Sequence, residues 1–144
     1  MQVSHSISRA FLAALILSFT LPSRAEDSQL QKHQKRVEEL TSYQQNVCEH
    51  RSSEGEYFTC YQKLLRDFEI ELELLTVDAQ SQIPRNQQAS FKRAHESWVR
   101  YYKTEKAHRQ SMKAVQGSVH SIGYLTDLVD LVKARCNILI RQMA

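Results

Sequence analysis

Cys48 and Cys60 stand twelve residues apart, with Ser53-Glu54-Gly55-Glu56 between them. Two cysteines can form a disulfide, work as a redox pair or ligate a metal. Redox and metal sites favour Cys-x-x-Cys spacing or clustered histidines, and the sequence has neither. The spacing therefore predicts a structural disulfide that staples the end of one helix to the first turn of the next. Closing so short a loop contributes on the order of 3 kcal/mol.

The remaining reactive side chains point to little chemistry. Cys136 lies on the apolar stripe of the last predicted helix, where a buried, inert thiol is expected because unpaired cysteine is among the most buried residue types. Pairing between two chains is the alternative if that face is exposed. After residue 25 the histidines are His33, His50, His95, His108 and His120, with no i,i+4 pair among them and no Cys-x-x-Cys-His for covalent haem. A haem held by His95 with Met112 or Met143 is the one cofactor reading left open. No cofactor, no metal and no catalytic residue are expected, since no nucleophile elbow, phosphate loop or metalloprotease motif is present.

Charge is unevenly placed. Residues 61–79 hold Lys63 and Arg66 against Asp67, Glu69, Glu71, Glu73 and Asp78, whereas residues 85–113 hold eight basic residues against Glu96 and Glu105. The expectation is two solvated helix faces of opposite sign facing each other, with the acidic cluster as a docking surface for a basic protein as the alternative. Carboxylates along one helix with no pocket signal are weak evidence for acid–base catalysis.

The elements that must position these residues are helical. Beyond residue 25 there is a single proline, Pro84, and three glycines, Gly55, Gly117 and Gly123. Turns at Gly55, Pro84 and Gly117 divide the chain into 26–54, 56–83, 85–116 and 118–144, which predicts an all-α, up-and-down bundle of about four helices with one helix–helix disulfide. Apolar residues recur at helical spacing. They are Leu30, Val37, Leu40 and Val47; then Tyr57, Tyr61, Leu64, Leu65, Phe68, Leu72 and Leu75; then Phe91, Ala94, Trp98, Tyr101 and Tyr102; and finally Ile122, Leu125, Val129, Val132, Cys136, Leu139 and Ile140. The first stripe is thin, which predicts fraying before Gln34. Ser28 with Gln31 and Ser53 with Glu56 fit the capping box, and Gly117 is placed to end the third helix.

Residues 1–25 read as a cleaved signal peptide. His5 and Arg9 precede an apolar run from Ala10 to Leu21, and Ser23-Arg24-Ala25 predicts cleavage before Glu26. The apolar run is about twelve residues, short of the ~20 that a membrane span needs. No cysteine follows the predicted cleavage site, so a lipid anchor is not supported. The whole chain carries +3, and residues 1–25 hold Arg9 and Arg24 and no acid, leaving +1 on a single domain over 26–144. That charge is no argument for a nucleic-acid partner. A periplasmic or secreted location follows from the leader and the cysteine pair.

With these residues in view, the stretch from Cys48 through Ser53, Glu56 and Cys60 to Leu65, Phe68, Glu69 and Leu72 resembles the opening of the LprI-like lysozyme-inhibitor domain. Phe91, Trp98 and Tyr101 resemble that family's Gln-x-x-Trp helix, and Leu131-Val132-Lys133-Ala134-Arg135 its closing Leu-Thr-x-x-Arg element. The likeness spans 48–140. His95 stands in place of the family's Gln, and Tyr102-Lys103 in place of Arg-Asp. An ungapped match puts the family's second cysteine pair at Lys106 and Asp127, where an ion pair is the expected substitute.

The resemblance implies a small exported helical protein, and some members inhibit lysozyme. Inhibition would mean covering a cleft whose working groups are two carboxylates. On that footing Ser53, Glu56, Leu72, Trp98 and Arg135 are structural signature positions. Arg51, Glu54 and Gly55 on the stapled turn, with Glu69 and Glu73, are the candidate partner-binding residues. The expected function is a non-enzymatic protein that binds lysozyme or another cell-wall lytic enzyme. The alternative is an interaction module of the cell envelope without inhibitory activity, and the oligomeric state is left open.

Overall fold

The computed structural model describes the backbone of residues 24–116 and 118–144, and the side chains of 29–111 and 123–144. Helix α1 runs over Arg24–Tyr43 and passes into a π-helical turn, Gln44–Cys48. After a five-residue connection, 49–53, come α2 at Glu54–Gln82, α3 at Arg85–Gln116 and α4 at Ser118–Met143. The four helices form an all-α, up-and-down bundle, and the described residues contain no strand.

Local sequence explains where α2 starts and stops. Ser53 is extended, at φ −123° and ψ 152°, and its side chain accepts a hydrogen bond from the Glu56 backbone N–H at 3.3 Å. That satisfies one amide that the first turn would leave orphaned. At the other end Pro84 pushes Ile83 out of the helical region, to φ −73° and ψ 133°. The break before α2 therefore lies at 49–53, and Gly55 sits inside the first helical turn instead of forming the bend.

Two further boundary expectations are corrected. Helix α1 is already helical from Arg24, because Ala25-Glu26-Asp27 holds no breaker; Ser28 lies inside the helix instead of at its start, and the segment before Gln34 is helical. The predicted signal segment lies outside the described residues except for Arg24 and Ala25, and Gly117 also lies outside them.

The core sits chiefly between α2 and α4. Leu64, Phe68 and Leu75 of α2 meet Leu128, Val129, Val132, Cys136 and Leu139 of α4, all fully buried. Each such side chain contributes about 1.5–3 kcal/mol by leaving water. Helix α1 adds Val37 and Leu40, with Leu30 and Val47 partly buried against the cluster. The Cys48–Cys60 disulfide closes this end of the bundle, with Cα atoms 5.5 Å apart and both sulfurs inside the core.

The π-turn is what aims Cys48 inward. One extra residue per turn, marked by the Glu49 N–H donating to the Gln44 carbonyl at 3.0 Å, places both Gln44 and Cys48 on the buried side. Gln44 then receives a hydrogen bond from Lys133 Nζ of α4 at 2.8 Å, so its buried amide oxygen is satisfied.

Helix α3 packs more on α4 than on α2. Its inward face is Phe91, His95, Trp98 and Tyr102, while Ala94 and Tyr101 face solvent. The expected stripe was thus rotated: at 100° per residue, Ala94 and Tyr101 lie roughly 60–80° from Phe91.

Candidate functional site

The stapled turn is the first expected site. Arg51, Glu54 and Gly55 are exposed there, beside Ser53 and Glu56, which are used in capping. Ser52 donates to Glu56 Oε2 at 3.1 Å, and hydrogen bonds from Ser52 and Ser53, with nearby Arg51, hold the Glu56 carboxyl below its usual pKa. The turn is therefore ordered by its own side chains and anchored by the disulfide behind it. It offers one cation, Arg51, that pairs with no carboxylate at ion-pair distance among the described residues.

Beyond Asp67, which pairs with Lys63 one turn back, the acidic residues in the middle of α2 go three ways. Glu69 is engaged internally: Lys106 Nζ donates to its Oε1 at 2.6 Å, and the Tyr102 hydroxyl donates to the same oxygen. Burial, then this carboxylate, pushes the Tyr102 pKa up. Glu71 and Asp78 turn to α1. There the ring of His33 bridges them, Nδ1 to Glu71 Oε1 at 2.5 Å and Nε2 to Asp78 Oδ2 at 2.9 Å. Glu73 stays exposed on the helix surface, as Arg51, Glu54 and Gly55 do on the turn.

Lys106 and Asp127 do not form the expected ion pair. Lys106 reaches back to Glu69 on α2, and Arg109, one turn further along α3, donates to Asp127 of α4. Among the described residues, the one ion pair joining the two faces of opposite sign is thus Glu69 with Lys106, and two of the acids on α2 are taken by α1.

Helix α3 carries a file of rings in which His95 joins Phe91, Trp98 and Tyr102 of the expected stripe. Phe91 and His95 are 6.3 Å apart, His95 and Trp98 6.4 Å, and Trp98 and Tyr102 5.3 Å with planes within 4°. Two cations cover it: Arg135 of α4 lies 5.7 Å from the Trp98 ring centre, and Lys106 5.7 Å from that of Tyr102. Trp98 and Arg135, two of the signature positions, are therefore in contact, and Leu72 is a core residue of α2. His95 Nδ1 and Arg135 Nε are both buried without a hydrogen-bond partner. Burial, then the Arg135 charge, lowers the His95 pKa and favours the neutral ring.

The outer face of α2 holds the feature least expected of a monomer surface. Ile70, Leu74 and Val77 are 51%, 55% and 67% exposed, and their i, i+4, i+7 spacing puts them in one row opposite the core. Glu73 lies within that row. Single exposed apolar residues are ordinary, but a row along one helix is the pattern of a protein-binding face.

Cys136 is fully buried, and burial pushes its thiol pKa up to about 12. Among the described residues, no group of three or more His, Cys, Asp or Glu side chains is arranged to hold a metal ion. Nor is any helix there long and apolar enough to cross a membrane. The missed His33 bridge had a signal: His33 falls on the stripe of Leu30, Val37 and Leu40, where a polar residue needs a buried partner. The chain matches no protein-family model, no curated protein and no solved structure.

Proposed function

We propose that this chain is an exported, non-catalytic binding protein that docks on a lysozyme-like cell-wall lytic enzyme. The observation that carries the reading is the row of Ile70, Leu74 and Val77, which spends apolar surface on solvent where a helix needing only solubility would be polar. The stapled turn adds an ordered projection with Arg51 exposed, a cation suited to a cleft whose working groups are carboxylates. The disulfide is consistent with an oxidising compartment, as export requires. The choice of a lytic enzyme rests on the resemblance of 48–140 to the inhibitor domain.

Muramidase assays with purified protein over 26–144 test this. Inhibition should saturate near one protein per enzyme, weaken at least tenfold in Leu74→Glu, and weaken again in Arg51→Glu. The absence of both inhibition and a complex at micromolar concentration would sink the proposal. A complex without inhibition, lost in Leu74→Glu, favours the second reading: an interaction module of the envelope using the same apolar row.

A further inference from the structure

We propose that the cavity between the α2–α3 corner and the end of α4 binds a small monoanionic carboxylate with an apolar tail, its headgroup held by Arg135. This site is separate from the α2 row and does not depend on the lytic-enzyme reading. The cavity has a volume of about 520 Å³, inside the range of about 300–1,000 Å³ common for small-molecule sites. Ile83, Phe91 and Met143 supply apolar wall, and the neutral amides of Gln87 and Gln142 lie at its exposed edge.

Among the described residues, Arg135 is the only charged one lining this space. Its guanidinium rests against Trp98, its Nε is buried without a partner, and no carboxylate pairs with it among the described residues. Burial lowers its pKa from the usual guanidinium value, as expected of a cation drawn away from water with no counter-charge. A guanidinium keeps its proton even so. A half-buried charge of this kind is ordinarily compensated by a partner, and the other half-buried cations among the described residues are: Lys106 by Glu69, Arg109 by Asp127 and Lys133 by Asp130.

The chemistry of the walls selects the ligand. A carboxylate accepts two parallel hydrogen bonds from a guanidinium, and one negative charge balances the one positive charge present. A phosphate dianion would stay half compensated, since the rest of the lining is neutral. The apolar wall formed by Ile83, Phe91 and Met143 rewards a hydrocarbon tail of a few carbons, and a tail-free anion would leave it wet.

Trp98 is the only tryptophan in the chain and touches Arg135, so its fluorescence reports on what reaches the guanidinium. The unaltered protein is titrated with octanoate, 1-octanol and acetate. Octanoate should give a saturable change, with octanol about 10–100-fold weaker for want of the charge-assisted hydrogen bonds, and acetate weaker for want of the tail. Calorimetry of Arg135→Gln should show the octanoate preference lost while octanol binding persists. Equal affinity for octanoate and octanol, equal affinity for octanoate and acetate, or no saturable binding up to millimolar octanoate would each overturn the proposal. So would unchanged octanoate affinity in a folded Arg135→Gln protein. The ligand series needs no variant, so a misfolded substitution does not protect the idea.

Discussion

Replacing His33 with alanine should loosen α1 from α2 in a way that depends on pH. The ring bridges two carboxylates of α2, and only an imidazolium can donate from both nitrogens at once. Burial by itself would lower the His33 pKa, but the hydrogen bonds to Glu71 and Asp78 outweigh it and the net shift is upward. The Glu71 side chain is 7% exposed, so losing its cation leaves a buried charge unpaired. Breaking such a pair costs about 3–5 kcal/mol. The low end applies here, because α1 can move off and admit water. The Asp78 side chain is 35% exposed, and that arm adds less than about 1 kcal/mol. His33→Ala should therefore cost about 3–4 kcal/mol at pH 6.

The sign of the pH dependence follows from the raised pKa. The stabilisation is fully present below the unfolded value, near pH 6.5, and is lost as pH rises through the higher folded value. Urea melts of wild type and His33→Ala at pH 6, 7, 8 and 9 measure it, and the gap between them should narrow steadily. A gap under about 1 kcal/mol at pH 6, or one that stays constant to pH 9, would refute the bridging imidazolium.

Other expectations concern single positions. The buried Cys136 thiol, with its pKa near 12, should resist thiol reagents at pH 8 and react at the rate of global unfolding, measured by Ellman's assay with and without denaturant. Gly123 lies within α4 with nothing within 4 Å of an added Cβ, so Gly123→Ala should raise stability by about 1 kcal/mol in chemical melts; a loss would show a hidden constraint. His95, whose pKa is lowered by burial and then by Arg135, contributes in the opposite sense to His33. Its contribution is full above about pH 6.5 and is lost as pH falls through the folded value, so its NMR titration midpoint should lie below 6.5 and rise towards it in Arg135→Gln.

Much of the scaffold was readable because local rules suffice for it. Pro84 ends α2 whatever the rest of the chain does, and Ser53 with Glu56 starts it by satisfying an exposed amide. The stripes on α2 and α4 are long enough for the 3.6-residue period to fix their buried faces. The stripe on α3 was not, since Tyr101 and Tyr102 are adjacent and both aromatic. Packing against α4 chose Tyr102, which also reaches Glu69. Periodicity gives no sign of a π-turn, because one extra residue per turn at the end of a stripe looks like a fading pattern.

By itself the sequence determined the helical class, the turn before Pro84, the cap of α2 and the pairing of Cys48 with Cys60. Each depends on residues within a few turns of one another. The tertiary structure alone decided the long-range pairings. His33 meets Glu71 and Asp78 across 38 and 45 residues, Lys106 takes Glu69 instead of Asp127, and Arg135 lies on Trp98 with no counter-ion among the described residues. Helical periodicity says which way a side chain faces. Only the docking of whole helices says what it meets there, and in this protein that is where the unpaired charge and the cavity beside it arise.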